Sequence, residues 1–157
     1  MPATQIPLRR LQKTVEKPKR ATIGSAGFDL CAPYPFVLKS GSRETIMLGL
    51  QTPSGILGEN CCLFICGRSS LAKKPGIIVG GGLCDSDYQG EIGVVLINTG
   101  PEDVTFETKD RIAQVVPLQL FDAQFVLTKK TKSNDRENVE KNGTKPGTTG
   151  ISVFGNV

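Results

Sequence analysis

Apolar residues recur at strand-like spacing from Phe36 onward, in short runs separated by turn residues roughly every 8–12 positions. They occupy alternate positions over 46–50, 92–96 and 104–106, and form a continuous run at 63–65. Turn-forming residues lie between these runs, at 39–42, 53–55 and 99–103. Because no stretch keeps a helical period, the pattern predicts an all-β protein, built as an antiparallel sandwich or barrel.

A single short helix is predicted after Arg68. Ser69 can serve as its N-cap, residues 71–74 are good helix formers, and Pro75 ends the run. Free N–H groups, two hydroxyls and the neighbouring guanidinium would bind a phosphate. A simple helix start without a ligand explains the same residues, so both interpretations stay open.

Residues 80–91 (GGGLCDSDYQGE) form the first candidate site. Three glycines leave backbone N–H and C=O groups open to another molecule, and acids and a tyrosine follow at short spacing. That combination indicates a small-molecule site. It is also typical of a β-hairpin in which Asp85, Ser86 and Asp87 merely make the turn.

The C-terminal region differs in composition from the rest of the chain. Residues 129–145 contain nine charged residues, with Val139 as the only large apolar side chain. Such a segment cannot bury enough apolar surface to order itself. We therefore predict a β domain over residues 1–128 and a flexible tail over 129–157, which stays disordered or closes over a site elsewhere.

The chain has no histidine, which excludes Ser-His-Asp and Cys-His nucleophiles and histidine-bound metals. Its five cysteines are an odd number, and Cys61 and Cys62 are adjacent, which does not suit zinc. Reduced thiols in an intracellular compartment, cytoplasmic or nuclear, are the simpler explanation. Any chemistry must therefore use carboxylates, hydroxyls, Tyr, Lys, Arg or a metal held by oxygen.

The net charge of +4 is concentrated at the N-terminus. Residues 1–20 carry six basic residues and one acid, so the other 137 residues sum to −1. This arm is interpreted as a solvated entry segment, with an import signal or a polyanion contact as the alternatives. The body has no basic surface for nucleic acid, and no apolar run approaches the ~20 residues that would span a membrane.

Five segments, in order, resemble the motifs of trimeric dUTPases, the deoxyuridine triphosphate nucleotidohydrolases. They are residues 25–30 (SAGFDL), 67–72 (GRSSLA), 82–91 (GLCDSDYQGE), 110–114 (DRIAQ) and 147–150 (GTTG). The resemblance spans roughly residues 5 to 150. It implies a jelly-roll-like β fold assembled as a homotrimer, with active sites shared between subunits. It also implies hydrolysis of dUTP to dUMP and pyrophosphate with Mg²⁺, which lowers dUTP and supplies dUMP for thymidylate synthesis.

The resemblance assigns the substrate-binding residues by position. They are Arg68, Ser69, Ser70, Gly82, Leu83, Asp85, Tyr88, Gln114, Lys141, Gly147 and Thr148. Asp85 would orient and deprotonate the attacking water, and Tyr88 would lie under the deoxyribose, where a 2′-hydroxyl would clash. Mg²⁺ would be held by phosphate oxygens and waters, with Asp29 reaching it through water. Asp110 and Arg111 are assigned to an ion pair at a subunit boundary.

The fifth segment departs from the family. Lys141 stands where the family has arginine, and Pro146 where it has the phenylalanine that stacks on uracil. A realignment that uses Arg136 or Phe154 is the alternative, because disordered tails permit insertions. Lysine lacks the planar fork of arginine, and proline stacks poorly. An alternative is therefore a non-catalytic dUTPase-like protein that binds a partner. A dCTP deaminase on the same fold would need a deamination constellation that the chain lacks.

Overall fold

The computed structural model describes residues 5–53 and 60–128, which form ten strands and one helix. The elements are β1 (Arg9–Arg10), β2 (Phe28–Cys31), β3 (Phe36–Leu38), β4 (Arg43–Gln51), β5 (Cys61–Cys66), α1 (Ser69–Lys73), β6 (Ile77–Gly80), β7 (Leu83–Cys84), β8 (Glu91–Asn98), β9 (Val104–Phe106) and β10 (Arg111–Gln119).

The strands form two four-stranded sheets and one two-stranded sheet. Their orders are β1-β4-β8-β6, β2-β10-β5-β7 and β3-β9. Every strand pair is antiparallel. The prediction of an all-β antiparallel architecture with one short helix is therefore confirmed.

The alternating pattern determines which side chains enter the core. In β8, Ile92, Val94 and Leu96 are buried while their neighbours are only partly buried. The same period in β4 buries its alternate apolar residues. One continuous core lies between the sheets, formed by Val15, Leu30, Ala32, Leu38, Ile46, Leu48, Leu50, Leu63, Ile65, Ile77, Ile92, Val94, Leu96, Phe106, Ile112, Ala113 and Val115.

The β4–β8 ladder is interrupted beside Gly49. The register shifts between Met47 and Gln51, and Gly49 has a φ of +67°. A Cβ on Gly49 would lie 2.5 Å from a methyl of Val15, so a side chain there would displace this core residue. The Gly49 N–H donates to the Glu91 carboxylate at 2.6 Å, which secures the bulge to the start of β8.

The predicted hairpin at 80–91 is wrong in its pairing. β6 pairs with β8 as far as Gly80 opposite Val95, but β7 pairs with β5 in the other sheet. The chain changes sheets through Gly81 and Gly82, whose φ angles are +68° and +105°. A Cβ on Gly82 would collide with the Ile65 carbonyl oxygen, so β7 can approach β5 only because this residue is glycine.

The predicted turn within the same segment is confirmed. The Tyr88 N–H donates to the Asp85 carbonyl at 3.1 Å, closing a turn through residues 86 and 87. This turn brings the chain back towards β8.

All of these elements belong to one compact unit, Met1–Asp122. In the second unit, Ala123–Val157, the structure describes only residues 123–128, which are exposed. The predicted tail at 129–157 lies outside the described residues. No helix in the described part of the chain is long and apolar enough to cross a membrane.

Asn98 offers a test of the fold. It is 1% exposed, its Nδ2 donates to the carbonyls of Leu38 and Glu102 at 3.1 and 2.7 Å, and its Oδ1 accepts from the Gly100 N–H at 2.9 Å. We expect Asn98→Asp to lower the free energy of unfolding by about 2–4 kcal/mol, because a buried carboxylate would face two carbonyls.

The control is Gln119→Glu, the same amide-to-carboxylate change on an exposed strand position. It should stay within about 0.5 kcal/mol of the wild type in urea unfolding. Equal losses in the two variants would contradict the structural role of Asn98.

Candidate functional site

Three distant segments meet on one face of the sheet β2-β10-β5-β7. Gln114 in β10 lies opposite Asp29 in β2 and opposite Cys66 in β5. Since paired residues point to the same side of a sheet, these three side chains form one row. The row joins the first and fourth of the segments singled out in the sequence to Cys66, the residue before the second segment.

Asp29 makes two ion pairs. Its Oδ1 lies 3.2 Å from Arg68 Nε, and its Oδ2 lies 3.4 Å from Arg111 Nη1. The Asp29 and Arg68 side chains are 16% and 21% exposed, so this pair is partly shielded from water, whereas Arg111 is 53% exposed. Arg68 Nη1 also donates to the Arg111 carbonyl at 3.2 Å, which further restrains its guanidinium.

The ion pair predicted for Asp110 and Arg111 belongs to a subunit boundary and stays a prediction. Within one chain, the Asp110 carboxylate accepts from the Glu107 N–H at 2.8 Å and so closes a turn. Arg111 pairs with Asp29.

The predicted N-cap of α1 is also wrong. Arg68 occupies the N-cap position with extended φ and ψ of −99° and 130°, and no side chain caps the helix. The Arg68 carbonyl accepts from the N–H groups of Leu71 and Ala72 at 3.0 and 3.1 Å. Ser69 and Ser70 are therefore the first helical residues, and both are exposed.

A cavity of about 400 Å³ opens beside this helix start. Its lining comprises Gly67, Arg68, Ser69, Ala72, Ile77, Ile78, Val79 and Gln114. Gln114 Nε2 donates to the Gly67 carbonyl at 2.9 Å, which ties β10 to the residue before the cap. The cavity thus combines a guanidinium, a hydroxyl and an amide, which are groups suited to a phosphate.

A second cavity, of about 240 Å³, lies beside the Gly82 turn. Its lining comprises Thr45, Met47, Ile65, Gly82, Leu83, Cys84, Tyr88, Glu91 and Gly93. The β6–β8 register ends at Gly80 opposite Val95, so β6 does not extend along β8 as far as Gly93. Gly82 and Gly93 contribute only backbone atoms to this lining. The place of a Cβ is taken by the Ile65 carbonyl at Gly82 and by the Thr45 and Met47 side chains at Gly93.

Tyr88 is held in place at this second cavity. Its hydroxyl donates to the Glu91 carbonyl at 2.9 Å, and its own carbonyl accepts from the Thr52 hydroxyl. A Cβ on Gly90 would collide with the Tyr88 ring, so this glycine leaves room for it. Asp85 is exposed at the start of the adjoining turn.

Cys84 behaves as an apolar residue in this wall. Burial, and then the nearby Asp85 charge, raise the pKa of its thiol above the ordinary value. The thiol therefore stays neutral at pH 7 and packs against the core. All five cysteines are free thiols.

Four lining residues of the second cavity lie outside the candidate segment 80–91 and were missed by the sequence interpretation. They are Thr45, Met47, Ile65 and Gly93. Gly93 carried a usable signal, because an isolated glycine within a strand pattern indicates close backbone approach. Thr45 and Met47 carried none, because their proximity depends on the pairing of β4 with β8.

Six of the predicted site residues line one of the two cavities, whereas Asp29, Ser70 and Asp85 line neither. Arg68, Ser69 and Gln114 line the first cavity, Gly82, Leu83 and Tyr88 line the second, and the two linings share no residue. Lys141, Gly147 and Thr148 lie outside the described residues. A larger apolar cavity, of about 500 Å³ and lined partly by Phe28, contains none of the predicted site residues.

The described residues offer no protein cage for a metal. No group of three or more Cys, Asp or Glu that could hold one occurs in residues 5–53 and 60–128. Both oxygens of Asp29 already face arginines. This donor set fits only a cation that keeps its waters and binds chiefly to its ligand's phosphates, as Mg²⁺ does.

Known proteins resemble the chain in sequence and in fold. The dUTPase family model matches residues 13–144. The chain is 38% identical over 143 residues to the deoxyuridine 5′-triphosphate nucleotidohydrolase of Anaeromyxobacter sp. (strain Fw109-5), covering 87% of this chain and 93% of that protein.

Solved dUTPase structures share the fold. The native EIAV dUTPase matches with a TM-score of 0.65 at 27% identity, covering 80% of this chain and 99% of that one. A dUTPase from phage phi11 of S. aureus, described with a structural Mg(II) ion, matches with a TM-score of 0.72 at 16% identity, covering 83% and 100%.

The contact of Asp29 with two arginines can be tested by measuring the free energy of unfolding. We expect Asp29→Asn to lower the free energy of unfolding by about 1–3 kcal/mol, because two guanidinium groups lose their shared carboxylate. The loss should persist in 1 M salt, since partly buried charges are weakly screened.

The matched control is Asp103→Asn, which removes a shorter but exposed pair, Lys39 Nζ to Asp103 Oδ2 at 2.8 Å. Its effect should be smaller and should disappear in 1 M salt. Urea unfolding at both ionic strengths measures the difference, and an equal salt response in the two variants would refute it.

Proposed function

This chain belongs to the dUTPase family, and we propose that it hydrolyses dUTP to dUMP and pyrophosphate. The observation that carries the assignment is the second cavity, where glycine backbone and a fixed tyrosine border a space suited to a flat base. Asp85 lies in the adjoining turn and supplies a carboxylate within the same short segment.

Base selection is assigned to the second cavity. Backbone groups of Gly82, Leu83 and Gly93 would pair with the uracil edge, whose donors and acceptors match N–H and C=O groups. A pocket that fits closely around uracil would have no room for the 5-methyl group of thymine. The Tyr88 ring would lie against the deoxyribose and crowd out a 2′-hydroxyl.

Asp85 is assigned as the general base. It would accept a proton from the water that attacks the α-phosphorus, while its carboxylate also contacts the sugar 3′-hydroxyl. Its exposure lets water reach it, which this role requires.

The triphosphate is assigned to the first cavity. Arg68 would supply a charged donor, and Ser69, Ser70 and Gln114 would supply neutral ones. Asp29 keeps Arg68 extended towards this cavity through the 3.2 Å ion pair.

Mg²⁺ is proposed as the cofactor, held by phosphate oxygens and waters, with Asp29 reaching it through a water. When bound, it would offset the negative charge of the triphosphate. The paired state of Asp29 supports an indirect contact over direct ligation.

We further propose a homotrimer with active sites shared between subunits. The two groups of site residues line separate cavities in one chain, which supports a site in which one nucleotide contacts residues of two copies. Phe64, Leu83 and Leu118 are 40%, 61% and 41% exposed on one sheet. Paired positions place Phe64 beside Leu83 in an apolar row, which supports burial between copies.

The boundary at residue 128 and the lid role of 129–157 remain proposals. Lys141, Gly147 and Thr148 would contact the nucleotide from this tail and exclude water when it closes. We also propose an intracellular location, in which the five thiols stay reduced.

Pyrophosphate release tests the function directly. With Mg²⁺, we expect release from dUTP and far less from dCTP or dTTP. Asp85→Asn should lower kcat by about 10²–10⁴-fold while the nucleotide still binds, because the amide keeps the shape but cannot accept the proton.

Asp87→Asn is the control, since Asp87 is exposed in the same turn and has no assigned role. It should leave kcat near the wild-type value. Absence of release by concentrated wild-type protein would leave the non-catalytic binding protein as the better assignment.

The tail is tested by truncation. Deleting residues 141–157 should reduce kcat by about tenfold or more, because the site would stay open to water. Deleting only 151–157 keeps the 147–150 segment and should preserve activity. Equal activity of both truncations and the full chain would exclude a lid.

A further inference from the structure

Gly27 is buried directly before β2, against the Gln114 side chain. A Cβ on Gly27 would collide with Gln114 Oε1 and lie 3.1 Å from Cδ and 3.2 Å from Cβ of the same residue. Gly27 is not among the glycines with positive φ, so its backbone can accommodate other residues. The position therefore requires glycine for space and not for conformation.

The orientation of the Gln114 amide follows from its hydrogen bond. Only Nε2 can donate to the Gly67 carbonyl, at 2.9 Å, so Oε1 turns towards Gly27. A side chain at residue 27 would push this amide away from Gly67. Gly27 thus determines whether the hydrogen bond can form.

Gly67 immediately precedes the N-cap residue of α1, Arg68. A shift of the Gly67 carbonyl would move the Arg68 backbone and the first helical residue, Ser69. Both line the first cavity. A substitution at Gly27 would therefore displace, through Gln114 and Gly67, the residues assigned to the triphosphate.

We propose that Gly27 is a positioning residue for triphosphate binding. Because Gly27 has no Cβ, the Gln114 amide can lie against it and donate to the Gly67 carbonyl. This hydrogen bond keeps Arg68 and Ser69 in position at the first cavity. This inference rests on the proposed function. It concerns the phosphate cavity, because Gln114 lines that cavity and is absent from the lining of the second one.

The test compares Gly27→Ala with Gly24→Ala. Gly24 lies in the same segment, and a Cβ there meets nothing within 4 Å among the described residues. Binding is measured with the non-hydrolysable imido analogue of dUTP and with deoxyuridine, which has no phosphates. Gly27→Ala should weaken the analogue about tenfold, the scale of one lost polar contact, and leave deoxyuridine binding unchanged. Gly24→Ala should change neither.

A double-mutant cycle identifies Gln114 as the intermediary. Gly27→Ala should add no further loss to Gln114→Ala, because the group it displaces is already absent. The inference would be wrong if the affinity losses of Gly27→Ala and Gln114→Ala multiplied in the double variant. It would also be wrong if Gly27→Ala bound both ligands as Gly24→Ala does.

Folding failure is informative in the same cycle. If Gly27→Ala alone does not fold but the double variant melts like Gln114→Ala, the collision with Gln114 is supported. If both fail to fold while Gln114→Ala folds, Gly27 acts independently of Gln114 and the inference is wrong. Wild-type pyrophosphate release is scored separately, so an active enzyme indifferent to Gly27→Ala would refute this inference alone.

Discussion

The Asp29 carboxylate is the shared contact of two arginines that come from different elements. Arg68 reaches it from the end of β5, and Arg111 reaches it from the start of β10. Two guanidinium groups so placed would repel each other without a negative charge between them. Partial burial strengthens the Arg68 contact, because fewer waters compete for the same oxygens. The Asp29 carboxylate, together with the Arg111 carbonyl, thus holds the Arg68 guanidinium at the phosphate cavity.

Missing side chains create the rest of the site. Gly82 lets β7 approach β5, Gly93 makes room for the side chains of Thr45 and Met47, and Gly27 makes room for the Gln114 amide. In each place the protein needs space close to the backbone, for a strand or for a side chain. A β-sheet offers such space only where a Cβ is absent, because adjacent side chains otherwise cover both faces. The Asp29 carboxylate thus orients Arg68, whereas the glycines make room for close contacts with the backbone.

The prediction of the fold succeeded where burial is periodic along the chain. Strands β4 and β8 were evident from alternation alone, because each has one face in the core. The predicted N-cap was wrong because propensity favours serine, whereas the actual boundary follows β5 and the pairing of Arg68 with Asp29. The predicted hairpin was wrong because β7 found its partner about twenty residues earlier in the chain, in β5. Local residue preferences contain no information on these tertiary contacts, so they could not predict the start of α1 or the partner strand of β7.

The sequence by itself determined the all-β class, the types of chemistry available and the order of the family segments. Those properties depend on residue type and on the spacing between near neighbours, which can be read directly from the sequence. Only the tertiary structure decided which groups meet: Asp29 with two arginines, Gln114 with Gly67, and two cavities with separate linings. These contacts depend on strand register between distant segments. A shift of one residue would turn Gln114 to the opposite face of its sheet, and no local pattern specifies that register.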